Sequence, residues 1–282
     1  MRRKHLLAAG LIVLGLTWSV QAEIYDIVHG LYLNKPTVDS GSGTPGTGTI
    51  VQTGKDGWWY YTDPVGGGSG VKGAMTAAQM NPANYVLWTA GKDGVGDAYG
   101  FGTVSGAGGR PWVVNGTWDN GSGLPTQLTG AAEGTALNVN TENFNQIVME
   151  WRAPSGGSHP LTDVAFQFDA ITGSDMEWHI FKRVSGVSTE LAYSAVLGAG
   201  ADSAGVPPPV PLVATATTPV LLTALGLNLS PGDSIFLYGR VMDHDGGDGT
   251  GIRGTINYIP EPTAAMLLLA GAAFFGVRRR RN

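Results

Sequence analysis

The 282 residues include 44 Gly, 17 Lys+Arg, 22 Asp+Glu and no Cys. Without Cys there is no disulfide framework and no thiolate zinc site, and glycines without a three-residue period exclude a collagen-like rod. Seven of the 17 basic residues sit at the two ends, so the body between them carries 10 basic and 21 acidic residues and presents no electrostatic footprint for nucleic acid.

The chain opens with Met1-Arg2-Arg3-Lys4, continues through an apolar run from Leu6 to Leu16, and reaches Val20-Gln21-Ala22. A positive segment, a short apolar segment and a small-residue cleavage site make an export signal. The pattern predicts that signal peptidase cuts between Ala22 and Glu23, removing residues 1–22. The alternative is an uncleaved anchor helix, for which the apolar run is short.

Residues 23–259 read as the body. Helical signals are scarce; the best is the single turn Thr76–Met80, ended by Asn81-Pro82. Strand signals cover 57–62, 85–90, 112–118 and 147–152. Next comes Val164–Ile171, where Val164, Phe166 and Phe168 share one face. Thr172–Asp175 reads as a turn. In Met176–Val184, Met176, Trp178 and Ile180 share one face, and Glu177, His179 and Phe181 the other. Ser185–Ser188 is a second turn and Thr189–Leu197 a third strand, which together predict an antiparallel meander. Residues 206–211, Val-Pro-Pro-Pro-Val-Pro, cannot form a central strand and are expected to be an extended loop. Further strands are expected at 220–225, 234–242 and 251–259. Many short strands with Gly-rich turns predict an all-β fold, an antiparallel β-sandwich. Leu229–Leu237 contains a Pro-Gly-Asp turn that opens a late strand. It is similar to the closing segment of bacterial jelly-roll modules, and the resemblance implies a jelly-roll-like sandwich.

The chain closes with Pro260-Glu261-Pro262, an apolar stretch over 263–277, and Arg278, Arg279, Arg280 and Arg281. As a helix the stretch spans about 22 Å. It can cross a bilayer by thinning it or by arginine snorkelling, and the arginines keep the tail cytoplasmic. Pro-Glu-Pro, short apolar helix and terminal arginines, in that order, resemble the PEP-CTERM sorting signal. The resemblance covers residues 260–282 and implies processing by an exosortase, a membrane-embedded cysteine protease-transpeptidase. It also implies a Gram-negative cell that makes exopolysaccharide, a transient stay in the inner membrane, and a mature protein at the surface or in the extracellular matrix. The alternative is a single-pass membrane protein that keeps its tail.

Within the body, Asp243, Asp245 and Asp248 lie in an Asp/Gly loop that could wrap Ca²⁺ with carboxylate and carbonyl oxygens; solvated turn chemistry explains the same residues. Trp58-Trp59-Tyr60-Tyr61 on a strand sends alternate rings to opposite faces, one pair core and the other exposed. Trp58, Trp59, Trp112 and Trp118 are therefore candidates for stacking on sugar rings, with core packing as the competing explanation. Gly232-Asp-Ser-Ile235 superficially matches one lipase motif. However, the serine is late, no Asp-x-x-His follows, and Asp233 reads as a turn residue. His29, His159, His179 and His244 lack metal-ligand spacing. Asp169, Asp175 and Glu177 cluster around one turn, and turn chemistry accounts for them.

With no catalytic motif, the expected role is non-catalytic: a structural or adhesive protein associated with exopolysaccharide. The alternatives are a carbohydrate-binding module, assisted by Ca²⁺ or not, and a secreted glycan hydrolase using paired carboxylates.

Overall fold

A computed structural model describes residues 23–34, 52–62, 85–88, 100–102, 112–117, 126–127, 133–141, 146–155, 159–170, 175–197, 213–214, 220–224, 227–241 and 248–258. The signal segment up to Ala22, the turn at Thr76–Met80, the proline loop 206–211 and the tail from Pro260 to Arg281 lie outside these residues. No helix among the described residues is long and apolar enough to cross a membrane.

The chain forms two sheets packed face to face. The first contains β1 (Glu23–Asp26), β4 (Gly100–Gly102), β5 (Trp112–Thr117), β6 (Thr126–Gln127), β7 (Ala136–Thr141), β9 (His159–Ala170), β13 (Val220–Ala224), β14 (Leu227–Leu229) and β16 (Asp248–Tyr258). Its path runs β13-β9-β16-β7-β5-β4, with β1 on β16, β14 on β9 and β6 on β5. The second contains β2 (Trp58–Thr62), β3 (Val86–Leu87), β8 (Gln146–Arg152), β10 (Asp175–Val184), β11 (Val187–Leu197), β12 (Val213–Ala214) and β15 (Ser234–Val241). Its order is β12-β11-β10-β15-β8-β2-β3. The β11–β12 pair is parallel; the other described pairs are antiparallel.

Alternation along the strands builds the core. Val164, Phe166, Phe168, Ile252 and Ile256 of the first sheet face Trp58, Tyr60, Met149, Trp151, Trp178 and Leu237 of the second, all fully buried. Phe168 and Trp178 stack across the gap at 5.3 Å between ring centroids.

That contact corrects the expected meander. β10 and β11 form the expected hairpin, and its turn at Ser185-Gly186 has φ of 49° and 83°. Both are positive, as a two-residue turn matching the strand twist requires. β9, however, does not pair with β10. β9 belongs to the first sheet and β10 to the second, so their apolar faces oppose each other across the core.

A short helix, α1 (Ile27–Asn34), escaped the sequence reading. Asp26 caps it: its Oδ1 accepts from the backbone N–H groups of Val28 at 2.7 Å and His29 at 3.1 Å. Ile27, Val28 and Leu31 then pack into the main core.

Candidate functional site

The second sheet has two unlike faces. Its inner face is apolar core. Its outer face carries aromatic rings interleaved with charge, and the strand register arranges them in rows. One row runs Trp59, Glu150, Phe236, Phe181, Glu190 across β2, β8, β15, β10 and β11. The next runs Tyr61, Val148, Tyr238, His179. Tyr61, Val148, Phe181, Phe236 and Tyr238 form a second hydrophobic cluster, with Trp59, Tyr85 and Leu87 packed at its margin. Phe181 and Phe236 stack at 5.0 Å, and the Tyr85 hydroxyl donates to Gln146 Oε1 at 2.7 Å.

Two ionic groups are set into this face. In the first, Glu150 Oε2 accepts from the Tyr61 hydroxyl at 2.6 Å and from Arg152 Nε at 2.9 Å, while Arg152 also donates to the Tyr61 oxygen. Burial, and then the Glu150 carboxylate, push the Tyr61 phenol well above its ordinary pKa, so it stays a proton donor. Burial pulls the Arg152 guanidinium down, but Glu150 and Tyr61 outweigh it and the net direction is up. The guanidinium lies over the half-buried Trp59 ring at 4.5 Å from its centroid.

In the second group, His179 bridges two glutamates. Its Nδ1 meets Glu190 Oε1 at 2.6 Å and its Nε2 faces Glu177 Oε1 at 3.7 Å. Burial disfavours the imidazolium, but Glu177 and Glu190 favour it more strongly, and the His179 pKa rises above its ordinary value. The ring also meets Tyr238 edge-on at 5.8 Å.

A similar brace lies elsewhere. His29 Nδ1 meets Glu133 Oε1 at 3.0 Å, and its Nε2 faces Asp56 Oδ2 at 3.8 Å, tying α1 to two distant segments. In both braces the carboxylates approach opposite edges of the imidazole, so they cannot share one metal ion with it. Among the described residues no group of three or more His, Asp or Glu side chains is placed to hold a metal.

The sequence-predicted candidates fare unevenly. Trp58 is a correction: it is fully buried beneath α1 and meets Phe166 edge-on at 6.3 Å, so it is core and offers no ring to a sugar. Alternation drives this, because Trp58 and Tyr60 point inward while Trp59 and Tyr61 point outward. Trp59 is the candidate on the outer face, with Gly54 close against its benzo edge and Arg152 over its ring. Trp112 pairs with Asn140 through its backbone; its side chain and all of Trp118 lie outside the described residues. Asp243 and Asp245 also lie outside them, and Asp248 is described only as a strand residue opposite Thr141. Glu23 is an exposed residue of β1.

Asp233 holds its turn: its carboxylate accepts from the N–H groups of Ser185 at 3.0 Å and Ser230 at 2.9 Å. Ser234 is buried in β15, opposite Arg152 and Arg183. The sequence reading did not single out Glu150, Arg152, Tyr85 or Glu190. A lone Glu in the apolar run Ile147–Trp151 was the available signal for the first of these.

No protein-family model matches the chain, and none of the curated proteins matches it. Several solved structures resemble part of the chain. One is TmCBM61 in complex with β-1,4-galactotriose, with a TM-score of 0.29 and 10% identity, covering 44% of this chain and 70% of that one. Another is the CBM22-1 xylan-binding domain from Paenibacillus barcinonensis, with a TM-score of 0.26 and 14% identity, covering 45% and 74%. A third is a family 29 carbohydrate binding module, with a TM-score of 0.26 and 14% identity, covering 53% and 92%.

Proposed function

We propose that this chain is an exported β-sandwich, sorted to the cell surface or extracellular matrix, that works by non-catalytic contact with polysaccharide. The observation that carries the reading is the pair of address segments. An export signal ends at Ala22, and Pro260-Glu261-Pro262, an apolar stretch and Arg278 to Arg281 close the chain in the PEP-CTERM order. Signal peptidase and an exosortase are the processing partners, and the inner membrane is a temporary station.

A second reading places a carbohydrate-binding surface at the outer face of the second sheet. It is favoured by Trp59 and Tyr85, two half-buried rings at the margin of the aromatic cluster, beside hydrogen-bonding groups of Arg152 and Gln146. A sugar ring presents C–H faces to an aromatic and hydroxyls to such neighbours. Ca²⁺ held by Asp243, Asp245 and Asp248 is an accessory to this reading.

The intact mass of the protein recovered from the extracellular and outer-surface fraction tests the sorting reading. The expected mass starts at Glu23 and ends within Pro260–Pro262, with or without added glycan. A mass that retains Arg278 to Arg281, found only in the inner membrane, would make the tail a permanent anchor and overturn the reading.

A further inference from the structure

The two processed ends meet in the fold. β1 pairs with the last strand, β16, and the register sets Glu23 opposite Tyr258. Glu23 Oε2 accepts from both the Tyr25 hydroxyl at 2.8 Å and the Tyr258 hydroxyl at 2.9 Å, and the two phenol rings stack at 5.5 Å. Only four residues, 259–262, separate Tyr258 from the apolar stretch that begins at Thr263. Fully extended, that link spans at most roughly 18 Å. While the tail is in a bilayer, this pole of the sandwich is therefore held at the lipid surface.

The surface at the pole matches that position. Three large hydrophobic residues are strongly exposed among the described residues: Ile24 at 66%, Val86 at 51% and Val187 at 68%. Ile24 is next to Glu23. Val187 leaves the Ser185-Gly186 turn, and contacts trace that turn to the same pole. Tyr258 stacks on Tyr25, Tyr25 meets Trp151 at 5.0 Å, Ala153 donates to the Asp233 carbonyl at 2.9 Å, and Asp233 accepts from the Ser185 N–H. The bases Lys182 and Arg183 stand half-buried at the end of β10, just before that turn. The Glu23 carboxylate is engaged by two hydroxyls. Exposed apolar side chains flanked by bases suit an acyl–phosphate boundary. Val86 lies toward the other end of the second sheet, since it pairs with Thr62, which pairs with Ile147.

We propose that the pole formed by Glu23, Ile24, Val187 and Tyr258 is a membrane-seating surface that rests on the phospholipid bilayer until the tail is cut. The inference rests on the reading of residues 263–277 as a membrane segment. After the cut the same apolar pole leaves the lipid and becomes solvent-facing.

The absence of Cys makes the test direct. Ile24→Cys, Val187→Cys and Val86→Cys are made singly in a chain that has lost its signal and keeps its tail, produced in a host without the tail peptidase. Each is labelled with bimane and reconstituted into phospholipid vesicles that carry a headgroup nitroxide quencher. Quenching at positions 24 and 187 is expected to be several-fold that at position 86. Equal quenching at all three positions, in protein that floats with the vesicles, would overturn the seating surface and leave the tail reading standing. Protein that fails to float would overturn the tail reading and the inference with it. Disulfide-linked dimers of the unlabelled Ile24→Cys or Val187→Cys protein on the vesicles, with no quenching of the labelled protein, would assign the pole to a second copy and overturn the proposal.

Discussion

The inner and outer faces of the second sheet are made by the same strands, yet they obey different physics. On β8, Ile147, Met149 and Trp151 point inward among apolar atoms, while Val148, Glu150 and Arg152 point outward. On β10, Met176, Trp178 and Ile180 are core, while Glu177, His179 and Phe181 line the outer face. The inner face needs only volume and shape. The outer face buries Glu150, Glu177 and His179, which an apolar replacement of similar size would often match or improve for stability alone. The two faces differ in that the outer one sets hydrogen-bonded charges among its rings.

The largest expected effect breaks the inner face. Trp151→Ala removes a fully buried ring that also supports Tyr25. It should destabilise the fold by about 3–5 kcal/mol, read as a lower urea midpoint. That is a large share of the total stability of a typical domain.

A smaller loss is expected on the outer face. Glu150→Gln removes the charge that the Tyr61 hydroxyl and Arg152 share. The Arg152 side chain is 42% exposed, so solvent screens its part of the pair. A loss of about 1–3 kcal/mol is expected, with the urea slope unchanged.

The His179 brace predicts a pH dependence of opposite sense to acid denaturation by carboxylates. Its folded pKa lies above the ordinary value of 6.5. The stabilisation is therefore fully present below about pH 6.5 and is lost as pH rises through the folded pKa. Urea midpoints measured across this range should fall on the alkaline side, and His179→Gln should flatten that slope. An unchanged slope in the variant would remove His179 from the account.

The smallest effect on stability sharpens the comparison most. Trp59→Ala at the margin of the outer face loses a cation–π contact and part of a half-buried ring, and should cost about 1 kcal/mol. Any sugar stacking should disappear with it.

Much of the fold was legible because alternation is a local signal. Spacing alone places Val164, Phe166 and Phe168 of β9 on one face, and Met176, Trp178 and Ile180 of β10 on one face; the structure shows both to be the core faces, with all six residues fully buried. Sheet membership was not legible. Spacing shows which face of a strand is apolar, but pairing and face-to-face packing satisfy the same pattern, so β9 and β10 were read as neighbours when they oppose each other. α1 was missed because Gly30 and the β-branched Ile27 and Val28 have weak helix propensity; the Asp26 cap and burial against Trp58 override it. At the site, the alternation in Trp58–Tyr61 sends one pair to the core as expected, but the other pair is not exposed: Tyr61 is buried and Trp59 half-buried, because Glu150 and Arg152 pack against them. Which pair faces the core depends on the partner strand β8, and no local pattern supplies that. Glu190 and His179 come together only because a bulge in the β10–β11 pairing places Phe181 opposite Glu190.

The most direct test of the account is co-sedimentation of the processed protein with polysaccharide from its own extracellular matrix, for wild type and Trp59→Ala side by side, with and without Ca²⁺. Both proteins are first shown to be folded by their urea midpoints. The account predicts that the wild type sediments with the polysaccharide and that Trp59→Ala remains in solution. Equal sedimentation of the two would remove the outer face of the second sheet from the interaction, and failure of the wild type to sediment in either condition would contradict polysaccharide contact as the function of the body.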